Sequence, residues 1–444
     1  MTTRSPFTFG VATSAFQIEG GRGEDGKGDS IWDRFSDEGR LRNPGDVAID
    51  HYHRYAEDVA LMAELGIDAY RFSIAWTRIQ PDGRGPANQA GIAFYQRLID
   101  ELVGHGITPW VTMYHWDLPA ALQDEGGWTV RSTAEAFAEY AAILVDSFGD
   151  RVGHWMTVNE PWVAAMLGYT EGIFAPGISD WSAGLAAGHH LLLGHGLAVA
   201  AVRKASPGAQ IGLALDCRPC LPASDSDADA AAAVHFDGYR NRWFFDPVFG
   251  KGYPEDMVAA YREAGRLPDG HPVVDLGDDL ALIAAPIDFL GLNYYTSIVV
   301  TPENAETEGG EAMPDPPPNR TEMGWDITPG ALTAFLERIH RTYRPASISI
   351  TENGASYSDG PGSDGRIHDR RRIDYLARHL EAVAAARAAG VPVDGYFVWS
   401  LLDNLEWIAG FSQRFGLVWV DTETLERTPK DSFHWYQDRI AAGL

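Results

Sequence analysis

Residues 55–76 read YAEDVALMAELGIDAYRFSIAW. Tyr55, Val59, Met62 and Leu65 recur at spacings of four, three and three, which is the period of a helix with one apolar face. Gly66 follows as a stop signal. The next run, 69–76, is too apolar for a sheet with one face in water and fits a strand covered on both sides. A one-faced helix feeding such a strand is one unit of an alternating α/β fold. Seven further β-rich runs follow the same logic, at 7–18, 108–115, 154–159, 210–215, 288–294, 347–351 and 395–400. Helical patterns separate them, among them 133–148 with Gly149 after it and 371–389 closed by Gly390 and Pro392. Eight such units predict one α/β domain over residues 1–444, a single (β/α)8 TIM barrel with long βα loops at its C-terminal face. A doubly wound sheet would carry a G-x-G-x-x-G turn after its first strand. Gly20-Gly21-Arg22-Gly23 lacks that spacing and opens no helical pattern.

Composition narrows the function. The 444 residues carry a formal charge of −27, a surface that repels phosphate backbones and anionic lipid. No nucleic-acid or membrane partner is therefore expected. The most apolar stretch, 185–202, is interrupted by His189, His190 and His195 and reads as a buried helix. The first residues show no apolar run behind Arg4, so a cytoplasmic location is expected. Cys217 and Cys220 form a lone C-x-x-C. Pro219 and Pro222 sit badly with a helical redox motif, and the pair reads as two ordinary thiols in a loop. His51 and His53 precede a helix, where side chains two apart do not share a face, and read as structural. Residues 303–320 are acidic and proline-rich and read as a long loop. Asn319-Arg320-Thr321, at its end, fits a glycosylation sequon, read as accidental without secretion. Trp32, Trp128 and Trp243 read as core.

Catalytic groups of a barrel sit where its strands end. The fourth strand leaves through Thr157-Val158-Asn159-Glu160-Pro161 and the seventh through Ile350-Thr351-Glu352-Asn353-Gly354. Each puts a carboxylate at the mouth with an Asn beside it. The other exits supply Gln17 and Glu19, Arg71 and Trp76, His115-Trp116-Asp117, Asn293-Tyr294-Tyr295, and Trp399 with Asn404-Leu405-Glu406-Trp407. Amides and carboxylates pair with hydroxyl groups, and indoles cover the apolar face of a sugar ring. Two facing glutamates, one protonated and one ionised, are the equipment of glycoside hydrolysis.

From Phe7 to Trp435 the chain resembles glycoside hydrolase family 1, the β-glucosidase-type retaining glycosidases. The resemblance rests on Phe9-Gly10-Val11-Ala12-Thr13-Ser14-Ala15 leading to Gln17, on Tyr70-Arg71-Phe72-Ser73, on the two glutamate motifs, on Asn293-Tyr294-Tyr295 and on Glu406-Trp407. It implies Glu160 as general acid/base and Glu352 as nucleophile, with Arg71 and Tyr295 supporting Glu352. It implies Gln17, His115, Trp116, Asn159, Asn293, Tyr295, Trp399, Glu406 and Trp407 around the sugar, and Trp162 and Trp325 beside the leaving group. The substrates implied are small β-glycosides and oligosaccharides with a terminal β-D-glucosyl residue, galactosyl and fucosyl being compatible. No metal or organic cofactor enters the scheme. Retention requires the two carboxyl groups about 5–5.5 Å apart, and their proximity should raise Glu160 toward about 6–7. Three alternatives stand beside this reading: a 6-phospho-β-glycosidase, a sugar-binding protein without catalysis, and a metal-dependent barrel hydrolase. The carboxylate of Glu406 argues against the first and the presence of both glutamates against the second. The third lacks a gathering of His and Asp at the exits.

Overall fold

A computed structural model describes residues 7–304 and 317–444. The readings made on the first six residues and on 305–316 lie outside them. Eight parallel strands close a barrel: β1 (Thr8–Ala12), β2 (Ala69–Ser73), β3 (Thr108–Tyr114), β4 (His154–Asn159), β5 (Gln210–Cys217), β6 (Phe289–Tyr294), β7 (Ile348–Asn353) and β8 (Val393–Trp399). Each pairs with its neighbours in sequence, and β1 closes on β8. Helices connect them, including His51–Leu65, Gln89–Gly104, Arg131–Phe148, Trp181–Ala205, Pro329–Tyr343 and Arg370–Ala388.

The alternation of strand side chains makes two apolar layers. Ala12, Ala69, Trp110, Met156, Ala214, Phe289, Phe397 and Trp399 point inward and fill the barrel. Their neighbours, such as Val11, Tyr70, Val111, Trp155, Leu213, Leu290 and Val398, point outward into the cluster shared with the helices. Small residues make room for large ones inside. A Cβ added to Gly10 would stand 2.4 Å from the Phe397 ring. Helix Trp181–Ala205, capped by the Asp180 side chain, is mostly buried against the barrel.

Several boundaries differ from the sequence reading. The run 7–18 holds two elements, because β1 stops at Ala12 and Ala15–Ile18 is a helical turn. There the Ala15 N–H donates to Ser73 Oγ at 2.7 Å, turning the chain off the strand. The run 69–76 likewise ends at Ser73, and Trp76–Ile79 is helical. The two cysteines are free thiols but not in a loop. Cys217 ends β5, and Cys220 opens the short strand Cys220–Pro222, which pairs with Ile298–Val300. His51 and His53 lie inside the first turn of their helix, not before it. His51 is buried on Asp58, and His53 is exposed beside Asp50 and Glu24. Trp32, Trp128 and Trp243 are core.

Candidate active site

Two register shifts aim the chemistry. On β4 the pairing with β5 slips between Met156 and Asn159. Met156 faces into the barrel, and Thr157 and Val158 both face the helices, Thr157 through a 2.7 Å hydrogen bond to His195 Nδ1. Asn159 then returns to the interior. On β7 the pairing with β6 slips before Glu352, so that Thr351 and Glu352 both reach inward. Such bulges commonly sit beside active sites, where they re-aim a side chain. Glu160 follows at φ 47°, and Trp116 and Trp407 also hold positive φ, at 76° and 44°. Three non-glycine residues in this sparsely populated region surround one cavity, a cost that persists only where the surrounding structure enforces it. A Cβ on Gly354 would stand 1.7 Å from the Trp399 carbonyl oxygen, so the β7 exit needs glycine there.

The cavity opens at the C-terminal ends of the strands, has a volume of about 860 Å³, and is lined by both Glu160 and Glu352. Arg71 holds Glu352: Nη1 donates to Oε1 at 2.5 Å and to the Thr351 carbonyl at 3.0 Å. The Tyr295 hydroxyl donates to the other oxygen, Oε2, at 2.6 Å. Arg71 Nη2 also donates to Asn159 Oδ1 at 2.5 Å. Asn293 Nδ2 donates to Glu160 Oε1 at 2.6 Å and to Asn159 Oδ1 at 3.0 Å. One amide thus links the Glu160 carboxyl to Asn159, which Arg71 also holds. Its orientation is set by the Thr351 hydroxyl, which donates to Asn293 Oδ1 at 2.7 Å. With Asn159 Oδ1 occupied by two donors, Asn159 Nδ2 points to His115 Nε2 at 3.2 Å. Burial and the Arg71 charge hold His115 well below its usual pKa, so the ring is neutral. A neutral ring accepting at Nε2 carries its proton on Nδ1, and Nδ1 has no partner among the described residues.

The two carboxyl groups are unequal. Burial first, then the charges of Glu352 and Asp216, push Glu160 well above the usual carboxyl range. Burial also raises Glu352, but Arg71, Tyr295 and Asn293 all oppose it. Glu160 is therefore the group that holds a proton and Glu352 the group that gives one up. Glu406 is pushed up to about 8 by burial and by Glu352, with the Gln17 amide offsetting part of it.

The sugar-facing residues named from sequence gather here, with two differences in emphasis. His115, Trp116, Asn293, Tyr295, Trp325, Trp399, Glu406 and Trp407 line the cavity. Gln17 is fully buried behind them, its amide donating to the Leu405 carbonyl at 2.9 Å and to Asn404 Oδ1 at 3.2 Å. Trp407 rests on Trp32 and Trp116, ring centroids 4.4 and 4.5 Å away, and Trp116 Nε1 donates to the Asn159 carbonyl at 2.9 Å. Trp162 reaches the cavity wall, but its ring face is covered by the Arg240 guanidinium, 3.8 Å above the centroid. Trp325 lies 5.4 Å from the Tyr295 ring and faces the cavity more openly.

Asn353, the apparent twin of Asn159, is not in the site. It donates to the Tyr294 carbonyl at 2.6 Å and to the Tyr375 hydroxyl at 3.1 Å, behind the strand. Cavity residues missed from sequence include Asp216, Arg240, Glu171, Met323 and Phe415. Asp216 carried a readable signal, since it lies at the end of β5. Arg240 sits on a π-helical turn, Gly238–Arg242, that no strand-end rule reaches.

The model of glycosyl hydrolase family 1 matches residues 1–443. The chain is 44% identical over 439 residues to β-glucosidase A of Thermotoga maritima, covering 98% of this chain and 96% of that protein. It is 44% identical over 460 residues to a bifunctional β-D-glucosidase/β-D-fucosidase of Bifidobacterium breve, covering 98% and 97%. Among solved structures, β-glucosidase from Thermotoga maritima in complex with deoxynojirimycin superposes with a TM-score of 0.93 at 44% identity, covering 100% of this chain and 99% of that one. With the barrel, the paired glutamates and a family match across almost every residue, the chain belongs to glycosyl hydrolase family 1.

Proposed function

We propose that the protein is a retaining β-glucosidase that removes terminal β-D-glucosyl residues from small glycosides and oligosaccharides, including those that come from cellulose. The observation that carries this reading is the pair of buried glutamates lining one cavity yet held at unequal proton affinity. In the first step a Glu352 oxygen attacks the anomeric carbon. The glycosidic C–O bond breaks, and the Glu160 proton passes to the departing oxygen. In the second step water, losing a proton to Glu160, attacks the same carbon and displaces Glu352 as carboxylate. Two inversions retain the configuration. Once Glu352 is an ester its charge is gone, and a charge that raises Glu160 goes with it. The acid of the first step then becomes the base of the second.

The Asn159 amide keeps a second hydrogen for a ring hydroxyl, and Trp399 offers an indole face. Glu406 supplies no positive charge to a 6-phosphate, which favours unphosphorylated sugars. The relative from Bifidobacterium breve, named for both glucosides and fucosides, supports tolerance at the 4- and 6-positions. The test is the anomer formed first, read by proton NMR during hydrolysis of a nitrophenyl β-glucoside. β-Glucose is expected; α-glucose would overturn the double displacement.

A further inference from the structure

We propose that Asp216 and Arg240 form a charged leaving-group clamp that favours hydroxylated leaving groups, a second sugar above all, over aryl ones. The proposal rests on the glucosidase reading and assigns the residues that choose its substrate.

Asp216 lies on β5 in register with Asn293, the amide that holds Glu160. Its carboxylate forms a buried ion pair with Arg240, and both side chains face the cavity. The Asp216 charge reaches Glu160, where it raises the proton affinity, while Arg240 acts in the opposite sense. The pair therefore stands beside the group that protonates the departing oxygen. The guanidinium is fixed from behind by the Trp162 ring, 3.8 Å away, whose edge meets Tyr239 at 5.5 Å between centroids. A clamp held by an ion pair and a stacked ring loses little freedom when a substrate arrives.

Trp162 consequently shows the leaving group an arginine in place of an indole. Much of the outer cavity is apolar, through Val163, Leu167, Ile173, Phe174 and Ile408. Those side chains accept an aryl ring and a sugar with little discrimination, because apolar contact is non-directional. The ion pair is directional. One hydroxyl of a vicinal diol can donate to Asp216 while its neighbour accepts from Arg240. A nitrophenyl group has no hydroxyl to donate.

The experiment compares kcat/KM for cellobiose with kcat/KM for 4-nitrophenyl β-glucoside, as a ratio, in the wild type and two variants. Asp216→Asn with Arg240→Met removes both charges together, since removing one alone strands a buried charge. The ratio is expected to fall about tenfold, the size of one hydrogen bond to a charged group. Arg240→Lys keeps the charge and loses the planar fork, and a fall of about threefold is expected. If the double variant fails to fold, the lysine variant decides. A change of less than twofold would overturn the clamp, as would a wild type that cleaves the nitrophenyl glucoside but not cellobiose. A wild type that cleaves neither would contradict the glucosidase reading instead.

Discussion

Asp58 and Glu352 are both buried acids bonded to an arginine, yet they end on opposite sides of the usual carboxyl range. Burial pushes Asp58 up, but His51 Nδ1 at 2.7 Å and Arg427 at 2.9 Å more than reverse it, and it ends below. This cluster ties helix His51–Leu65 to the C-terminal part of the chain. Glu352 has Arg71 and Tyr295 and still ends above, sharing its cavity with Glu160 and Glu406. A buried carboxylate paired with an arginine is thus no mark of a site. The mark is an excess of carboxyl groups over the donors that hold them, around a cavity.

That contrast yields graded expectations. The largest concerns Glu352→Gly, which should lower turnover of a nitrophenyl β-glucoside by about 10⁴-fold or more while leaving the thermal melt near that of the wild type. Substantial residual activity would break the contrast outright. Next, Asp58→Asn should cost about 3 kcal/mol of stability in denaturant or thermal melts, the scale of a disrupted buried ion pair. Its pH–rate profile should not move, because Asp58 is bonded away from the cavity; a moved profile would put Asp58 in the machinery. Smaller again is Tyr295→Phe. Its bond lowers the Glu352 pKa, so its loss raises that pKa. The reaction needs Glu352 ionised, so the acidic limb of kcat/KM should shift to higher pH, with a loss of about tenfold at the optimum. The finest is the Asp216→Asn, Arg240→Met double variant, which strands no charge. Asp216 raises Glu160 more than Arg240 lowers it, and Glu160 must be protonated in the first step, so the alkaline limb should shift to lower pH. An alkaline limb unmoved or displaced upward would contradict the electrostatic assignment.

The barrel was legible because its strands are short apolar runs between one-faced helices, and β4 spans residues 154–159 as read. The glutamates were legible because a carboxylate at a strand end is exposed to the mouth. The register shifts were not, since nothing in Met-Thr-Val-Asn marks which two neighbours will share a face. The two asparagines show the consequence. Asn159 turns inward after the register shift on β4, and Glu160 follows it beyond the strand end at positive φ, whereas Asn353 comes one step after the inward Glu352 on β7 and so takes the other face. Asn159 entered the site and Asn353 left it. Arg240 was hidden for another reason: its place depends on a helical turn folding over Trp162, a long-range contact with no local signature.

The most direct measurement is covalent trapping with a 2-deoxy-2-fluoro β-glucoside carrying a good leaving group, followed by peptide mass analysis. The fluorine slows the second step, so a glycosyl ester should accumulate on Glu352 and Glu160 should stay unlabelled. Label on any other residue, or steady turnover of the probe with none bound, would contradict the assignment.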